Sequence, residues 1–249
     1  MPDCLSRKIS ANISDMRPGT IFLIRKEVFE VLWKDIIDPP MVMLGHHLAD
    51  KAKFERRKHE IFPPQNQIFR ALSLTQPETI KAVIVGQDPY HTPGAANGLA
   101  FSINQGLPIQ PSLQNIFKEL HSDIGCDIPQ SGDLTNWAKQ GVLLLNRTLT
   151  VEAHKPNGHA DWGWQLFTKH IFDLCVDFPQ PIVFILWGKY AQELADGVDW
   201  ATKSKKMLIK SPHPSPFSAN KGFFGSSPFS RTNSFLSSNN VKTIDWTLF

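Results

Sequence analysis

Cysteine is scarce in this chain and poorly placed for cross-linking. The three present, Cys4, Cys126 and Cys175, are odd in number, far apart and without a C-x-x-C pair, so neither a disulfide framework nor a zinc ribbon is written here. A reducing compartment is expected. Long apolar runs are missing too: none approaches the roughly eighteen residues that a membrane span requires. Residues 1–20 interleave Asp, Arg and Lys with no apolar block like that of a signal peptide, so membrane and secreted classes are not expected. Metal motifs are absent. Of nine histidines none falls in H-E-x-x-H or beside a cysteine at ligand spacing, and His46 and His47 are neighbours that point apart on a helix. No metal is expected. Without G-x-x-x-x-G-K-[ST] or G-x-G-x-x-G there is no cradle for a nucleotide phosphate, so no cofactor is expected either. A net charge of +3 permits a polyanionic partner without demanding one.

What the chain does have is apolar surface. Its 249 residues are 41% hydrophobic and include seventeen Phe and seven Trp, enough for a large core and too aromatic for intrinsic disorder. That length suits one α/β domain over residues 1–249, with residues 1–60 as a helical N-terminal arm. Helices are expected at 27–36 and 41–56. Four short runs read as strands buried on both faces: KAVIV (81–85), VLLL (142–145), PIVFILW (181–187) and KMLIK (206–210). Between them lie helical periodicities. Leu113, Ile116, Phe117, Leu120 and Ile124 share a face after Ser112, a good N-cap, and Trp164, Phe167, Ile171, Leu174 and Phe178 step by three and four. Strand–helix alternation needs crossover connections, so a central four-stranded parallel sheet flanked by helices on both faces is expected. The Ser- and Asn-rich stretch 225–240 reads as loop. The basic clusters Arg56-Arg57-Lys58 and 203–206 read as solvated faces.

In open α/β sheets ligands bind outside the carboxyl ends of the strands, and the four strand exits here are chemically rich. They read Gly86-Gln87-Asp88-Pro89-Tyr90-His91, then Asn146, then Gly188-Lys189, then Ser211-Pro212-His213-Pro214-Ser215-Pro216-Phe217. Each residue also has a plainer reading. Asp88 before proline can be an Asx turn, Asn146 a strand-terminating cap, His213 a surface loop histidine and Phe101 a core aromatic. Four functional side chains within six residues of one strand exit exceed what a turn needs.

Taken together, GQDPYH (86–91), LLLN (143–146) and HPSP (213–216) resemble the uracil-DNA glycosylases of the family-1 type. The resemblance covers residues 61–246, including IFPP (61–64), GLAFS (98–102), GFFG (222–225) and IDW (244–246). It implies an enzyme that flips uracil out of single- or double-stranded DNA and hydrolyses its N-glycosidic bond, as a monomer without cofactor. In that pattern Asp88 orients the attacking water and faces the sugar cation, while His213 donates a hydrogen bond to uracil O2, helped by the Gln87 backbone N–H. Asn146 reads N3–H and O4, Tyr90 lies against C5 and excludes thymine's methyl, and Phe101 stacks on the base. His91, Pro111, Ser112, Gly188, Lys189 and Ser215 match DNA-contacting positions, and Phe217 matches the wedge that fills the gap behind the flipped nucleotide. No lysine occupies a nucleophile's place, so the strand is expected to stay uncut.

The chemistry agrees with that implication. Uracil leaves as an anion delocalised over N1, O2 and O4, so one carboxylate for water and cation plus donors at O2 suffices. An amide at Asn146 can accept from N3–H and donate to O4, whereas cytosine presents the reverse, provided neighbouring contacts pin the amide. Three positions depart from the family pattern. Ile109-Gln110 interrupts the proline-rich loop, Lys189 replaces a serine, and Phe217 replaces a leucine. A non-catalytic DNA-binding scaffold of the same fold is the competing reading, and intact Asp88, Asn146 and His213 argue against it. With no targeting segment the expected location is a bacterial cytoplasm, a nuclear or viral setting being compatible.

Overall fold

The computed structural model describes residues 32–248, which fall within one compact unit. Cys4 and the first half of the helix expected at 27–36 lie outside the described residues. The part described forms a short helix, α1 (Trp33–Ile36), followed by α2 (Pro39–Glu55), which opens with proline, a residue suited to the first helical turn. Next come β1 (Ile61–Phe62), α3 (Arg70–Leu74) and β2 (Ala82–Gly86). The chain continues through α4 (Pro111–Ile124), α5 (Thr135–Lys139), β3 (Val142–Asn146) and β4 (Val151–Glu152). It ends with α6 (Trp164–Asp177), β5 (Ile182–Trp187), α7 (Lys189–Gln192), β6 (Lys206–Ser211) and α8 (Pro228–Ser238).

The main sheet has four parallel strands in the order β3-β2-β5-β6, as the four apolar runs predict. Every residue of β2, β3 and β5 is buried, the signature of strands covered on both faces. Helices α3 and α5 pack on β3, α7 and α8 pack on β5, and the pairs α2–α6 and α4–α8 pack together. Among the described residues no helix is long and apolar enough to cross a membrane. Register places the functional edge. Gly86 pairs with Asn146 and Trp187 with Ser211, so Gln87, Gly188 and Pro212 leave the sheet at one level. From β2 the chain turns to β3 on one side, and from β5 to β6 on the other, which makes the β2–β5 boundary a topological switch point.

Several expectations are corrected. The stretch 225–240 is not loop: α8 occupies Pro228–Ser238 and buries Phe229, Thr232 and Leu236. Its start is held from α4: Asp123 accepts from the first-turn N–H groups of Phe229 (2.8 Å) and Ser230 (2.9 Å), and Glu119 accepts from Gly225 and Ser227 in the segment leading into it (both 2.8 Å). Such caps stand in for the missing helical partners, and because they come from a distant segment no local pattern announces them. Ser112 is not an N-cap, since α4 already starts at Pro111. The region before residue 80 also contains β1, which pairs antiparallel with β4, Ile61 opposite Glu152. Two clusters are more than solvated faces. The Arg56 guanidinium bonds the Ile61 and Pro63 carbonyls, and the partly buried Lys206 ammonium bonds the Phe178 and Gln180 carbonyls.

Candidate active site

At the switch point β2 and β3 deliver Gln87, Asp88 and Asn146 into one cavity of about 220 Å³. Tyr90, His91, Phe101, Ser112, Pro156 and His213 complete its wall. A second cleft of about 530 Å³ adjoins it, shares Gly86, Gln87 and His213, and is lined by Gly188, Lys189, Tyr190 and Ser215. Thus every sequence-derived candidate lines one of the two spaces except Pro111 and Phe217, which are exposed. Among the described residues no group of three or more His, Cys, Asp or Glu could hold a metal ion.

Asp88 sits half-buried in the turn that follows β2. Its Oδ2 accepts from the Asn157 backbone N–H at 2.8 Å. Burial pushes its pKa above the ordinary carboxylate range, partly opposed by that hydrogen bond and by the nearby His91. A carboxylate in this setting is poorly hydrated and interacts strongly with any cation formed beside it.

His213 is fixed by a local bond. Its Nδ1 lies 3.0 Å from the Ser215 backbone N, which can only donate, so Nδ1 accepts and the neutral ring carries its proton on Nε2. Burial lowers the His213 pKa and favours that neutral form. Gly188 allows the ring to approach, because a Cβ there would lie 2.8 Å from the His213 Cβ, and its φ of +82° suits glycine. The Phe101 ring, with backbone φ +63°, lies 5.8 Å from the His213 ring and edge-on to Trp187 at 5.4 Å. The partly buried Tyr90 donates its hydroxyl to the Phe101 carbonyl at 3.2 Å, which fixes the phenol ring.

Asn146 is 6% exposed and its Oδ1 is a buried acceptor with no hydrogen-bond partner among the described residues. No side-chain hydrogen bond holds this amide among the described residues; neighbouring contact confines it. A Cβ on Gly86 would fall 2.2 Å from that Oδ1, so only glycine fits opposite. An unmet buried acceptor costs about 1–3 kcal/mol.

The three departures have visible settings. The Ile109 carbonyl accepts from the Gln114 side chain at 2.7 Å and that of Pro108 from Gln110 at 3.3 Å, so side-chain amides brace the loop where proline is missing. Lys189 opens α7 and is exposed, with no ion pair among the described residues. Its segment is held by Arg147, which donates to the Tyr190 carbonyl at 2.7 Å and pairs with Glu193 at 2.8 Å. Phe217 is 88% exposed and therefore not tucked against the sheet. Sequence reasoning missed Asn157, whose one local signal is the turn-forming Asn157-Gly158 dipeptide.

An open α/β sheet with a carboxylate, an amide and a neutral imidazole around one cavity at its switch point defines an enzyme of the doubly wound class. Residues 72–237 match the family model described as "Uracil DNA glycosylase superfamily". The uracil-DNA glycosylase of Brevibacillus brevis is 54% identical over 201 residues, covering 81% of this chain and 86% of that protein. That of Bacillus licheniformis is 47% identical over 227 residues, covering 90% and 98%. Among solved structures, the mimivirus uracil-DNA glycosylase superposes with a TM-score of 0.72 at 26% identity, covering 88% of this chain and 90% of that one. The chain belongs to the uracil-DNA glycosylase superfamily.

Proposed function

We infer that Asp88, Asn146 and His213 divide the chemistry of uracil excision between water activation, base recognition and leaving-group stabilisation. The enzyme is a hydrolase of N-glycosyl bonds acting in DNA repair, as its relatives' names and family imply. The observation that supports the division is the convergence of three strand exits on one cavity.

Uracil enters with its N3–H toward the unmet Oδ1 of Asn146, and the amide's other end meets O4. Cytosine would set an acceptor against that acceptor, which costs more than a lost bond. Tyr90, held by its bond to Phe101, occupies the space a C5 methyl would need, and Phe101 offers the base a ring face. As the glycosidic bond stretches, negative charge gathers on O2, where the His213 Nε2–H donates without giving up its proton. Positive charge gathers on the sugar, facing the desolvated Asp88. The Asp88 oxygen not bonded to Asn157 takes the proton of the attacking water, whose oxygen bonds to C1′ as the uracil anion departs. No covalent enzyme intermediate forms, so the products are free uracil and an abasic strand.

The partner is uracil-containing DNA, duplex or single-stranded. Lys189, Gly188 and Ser215 in the adjoining cleft, with Pro111, Ser112 and His91, contact the phosphate backbone around the flipped nucleotide. The chain acts as a monomer, in a cytoplasmic setting. The decisive experiment incubates the protein with a single-stranded oligonucleotide carrying one uracil, with chelator present, and treats the product with alkali. Scission at the uracil position only after alkali is expected. Intact strands after alkali would sink this reading.

Phe217 supplies the wedge. Flipping a base from duplex leaves a gap whose cost is a few kcal/mol, and a phenyl ring inserted there recovers about 1–3 kcal/mol of stacking. For Phe217→Ala, kcat/KM on duplex substrate is expected to fall by roughly tenfold or more, with a clearly smaller loss on single strands, which have little stacking to restore. Equal fractional losses on the two substrates would take the wedge role from Phe217.

A further inference from the structure

The reaction needs the Asp88 carboxylate aimed, and the turn that carries it is short. The aiming contact comes from a segment 69 residues away, the Asn157 backbone N–H donating to Oδ2 at 2.8 Å. The Asn157 side chain also reaches this turn, its Oδ1 accepting from the Gln87 amide. A third bond runs from the His154 N–H to the His91 carbonyl at 3.0 Å. Three hydrogen bonds thus join residues 154–157 to residues 87–91. The stem of the donating loop is itself braced, because the Glu152 carboxylate in β4 pairs with His59 and Lys155, each at 2.9 Å.

Asn157 holds a φ of +61°, a left-handed conformation that glycine adopts freely and asparagine more readily than other residues. Its side chain is exposed, so it contributes little to the core. We propose that Asn157 is a positioning residue for the hydrolysis: a left-handed turn, locked by the side-chain bond to Gln87, presents its N–H to Asp88 and leaves the second carboxylate oxygen aimed at the sugar and the water. The proposal rests on the reading of Asp88 as the group that activates water. It also gives the carboxylate a donor that favours its ionised form, against the burial that disfavours it. The titratable groups facing Asp88 are Tyr90 and His91 on its own turn and, across the cavity, His213.

Two substitutions separate the backbone from the side chain. Asn157→Ala loses the Gln87 bond and strains the positive φ, so the N–H swings away from Asp88. Asn157→Gly loses the same side-chain bond but keeps the turn and the N–H. For Asn157→Ala, kcat on a uracil oligonucleotide is expected to drop by about 10²-fold, the scale set by a small misplacement of a reacting group, with KM changed less than threefold. The acid limb of its kcat profile is expected to move to higher pH, because the ionised carboxylate has lost a hydrogen bond. Asn157→Gly is expected to recover at least tenfold of the loss and to return the acid limb toward wild type. Equal losses in the two variants, a loss carried by KM, or an acid limb that stays in place in Asn157→Ala would each overturn the proposal. Asp88→Asn is assayed alongside: if it keeps activity, the role of Asp88 itself fails, an outcome distinct from failure at Asn157.

Discussion

Replacing Asp88 by Asn is expected to lower kcat by about 10²–10⁴-fold, the range typical of losing a positioned general base, while DNA affinity stays nearly intact. The split follows from when the charge matters. In the ground state the sugar is neutral and the carboxylate faces it without gain, whereas in the transition state it faces a cation and receives a proton. An amide fits the same space and can still accept from the Asn157 N–H, so the turn survives. Single-turnover rates and equilibrium binding to a uracil oligonucleotide test this directly. A rate that falls only in step with affinity would remove Asp88 from the chemistry.

The same substitution has a consequence for stability. Burial holds the folded pKa of Asp88 above its ordinary value of 3.8, so the native state binds this proton more tightly than the unfolded chain does. The stability tied to that proton is fully present below the unfolded pKa and is lost as pH rises through the folded one. At pH 7 the ionised group therefore weighs against the fold, and Asp88→Asn, with no charge to desolvate, is expected to melt at a higher temperature than wild type. The difference shrinks as pH falls through the raised pKa. Wild-type activity is lost over that same interval, since the protonated acid cannot accept from water. Melting curves at pH 4 and pH 7 for both proteins check the sign; a variant less stable than wild type at pH 7 would contradict it.

The sheet was legible because the strands at 82–86, 142–146 and 182–187 are buried on both faces and so appear as nearly unbroken apolar runs, each within a residue or two of its expected position. The strand at 206–211 lies where its run predicts but, at the sheet edge, is only partly buried with Lys210 exposed, not covered on both faces as expected. The candidate residues were legible for a related reason: a parallel sheet places everything that follows a strand on one edge, so Gln87, Asn146, Gly188 and the 212–217 segment had to converge. What stayed hidden depends on partners far away in sequence. The α8 helix is capped by Glu119 and Asp123, and its own Ser- and Asn-rich composition resembles loop. The two-residue strands β1 and β4 are too short for periodicity. Asn157 reads as an ordinary Asn-Gly turn, since nothing local reveals that its N–H ends on Asp88. Asn146 was legible as a base-reading amide, but its steric confinement by Gly86 required the register that sets those two residues side by side.

For His213→Ala the expected loss is about 10²–10³-fold in kcat, the scale of one removed oxyanion donor. The location of the ring proton decides how His213 acts. Because Nδ1 accepts the Ser215 N–H at 3.0 Å, protonating that nitrogen would break the bond and set two donors face to face, while burial adds a further penalty on the charged ring. The working form is therefore the neutral ring with Nε2–H aimed into the cavity. A neutral donor stabilises charge on O2 without needing a cation at the start, so the rate is expected to stay level as pH rises from 6.5 to 8.5. A protonated imidazole in the same role would make the rate fall over that interval. His213→Gln supplies the discriminating arm, since an amide can also donate in its neutral form. If its NH₂ reaches O2, part of the activity returns and the flat profile is kept. Loss below threefold in His213→Ala, or a wild-type rate that declines through neutral pH, would show that His213 does not act as a neutral hydrogen-bond donor to the departing base.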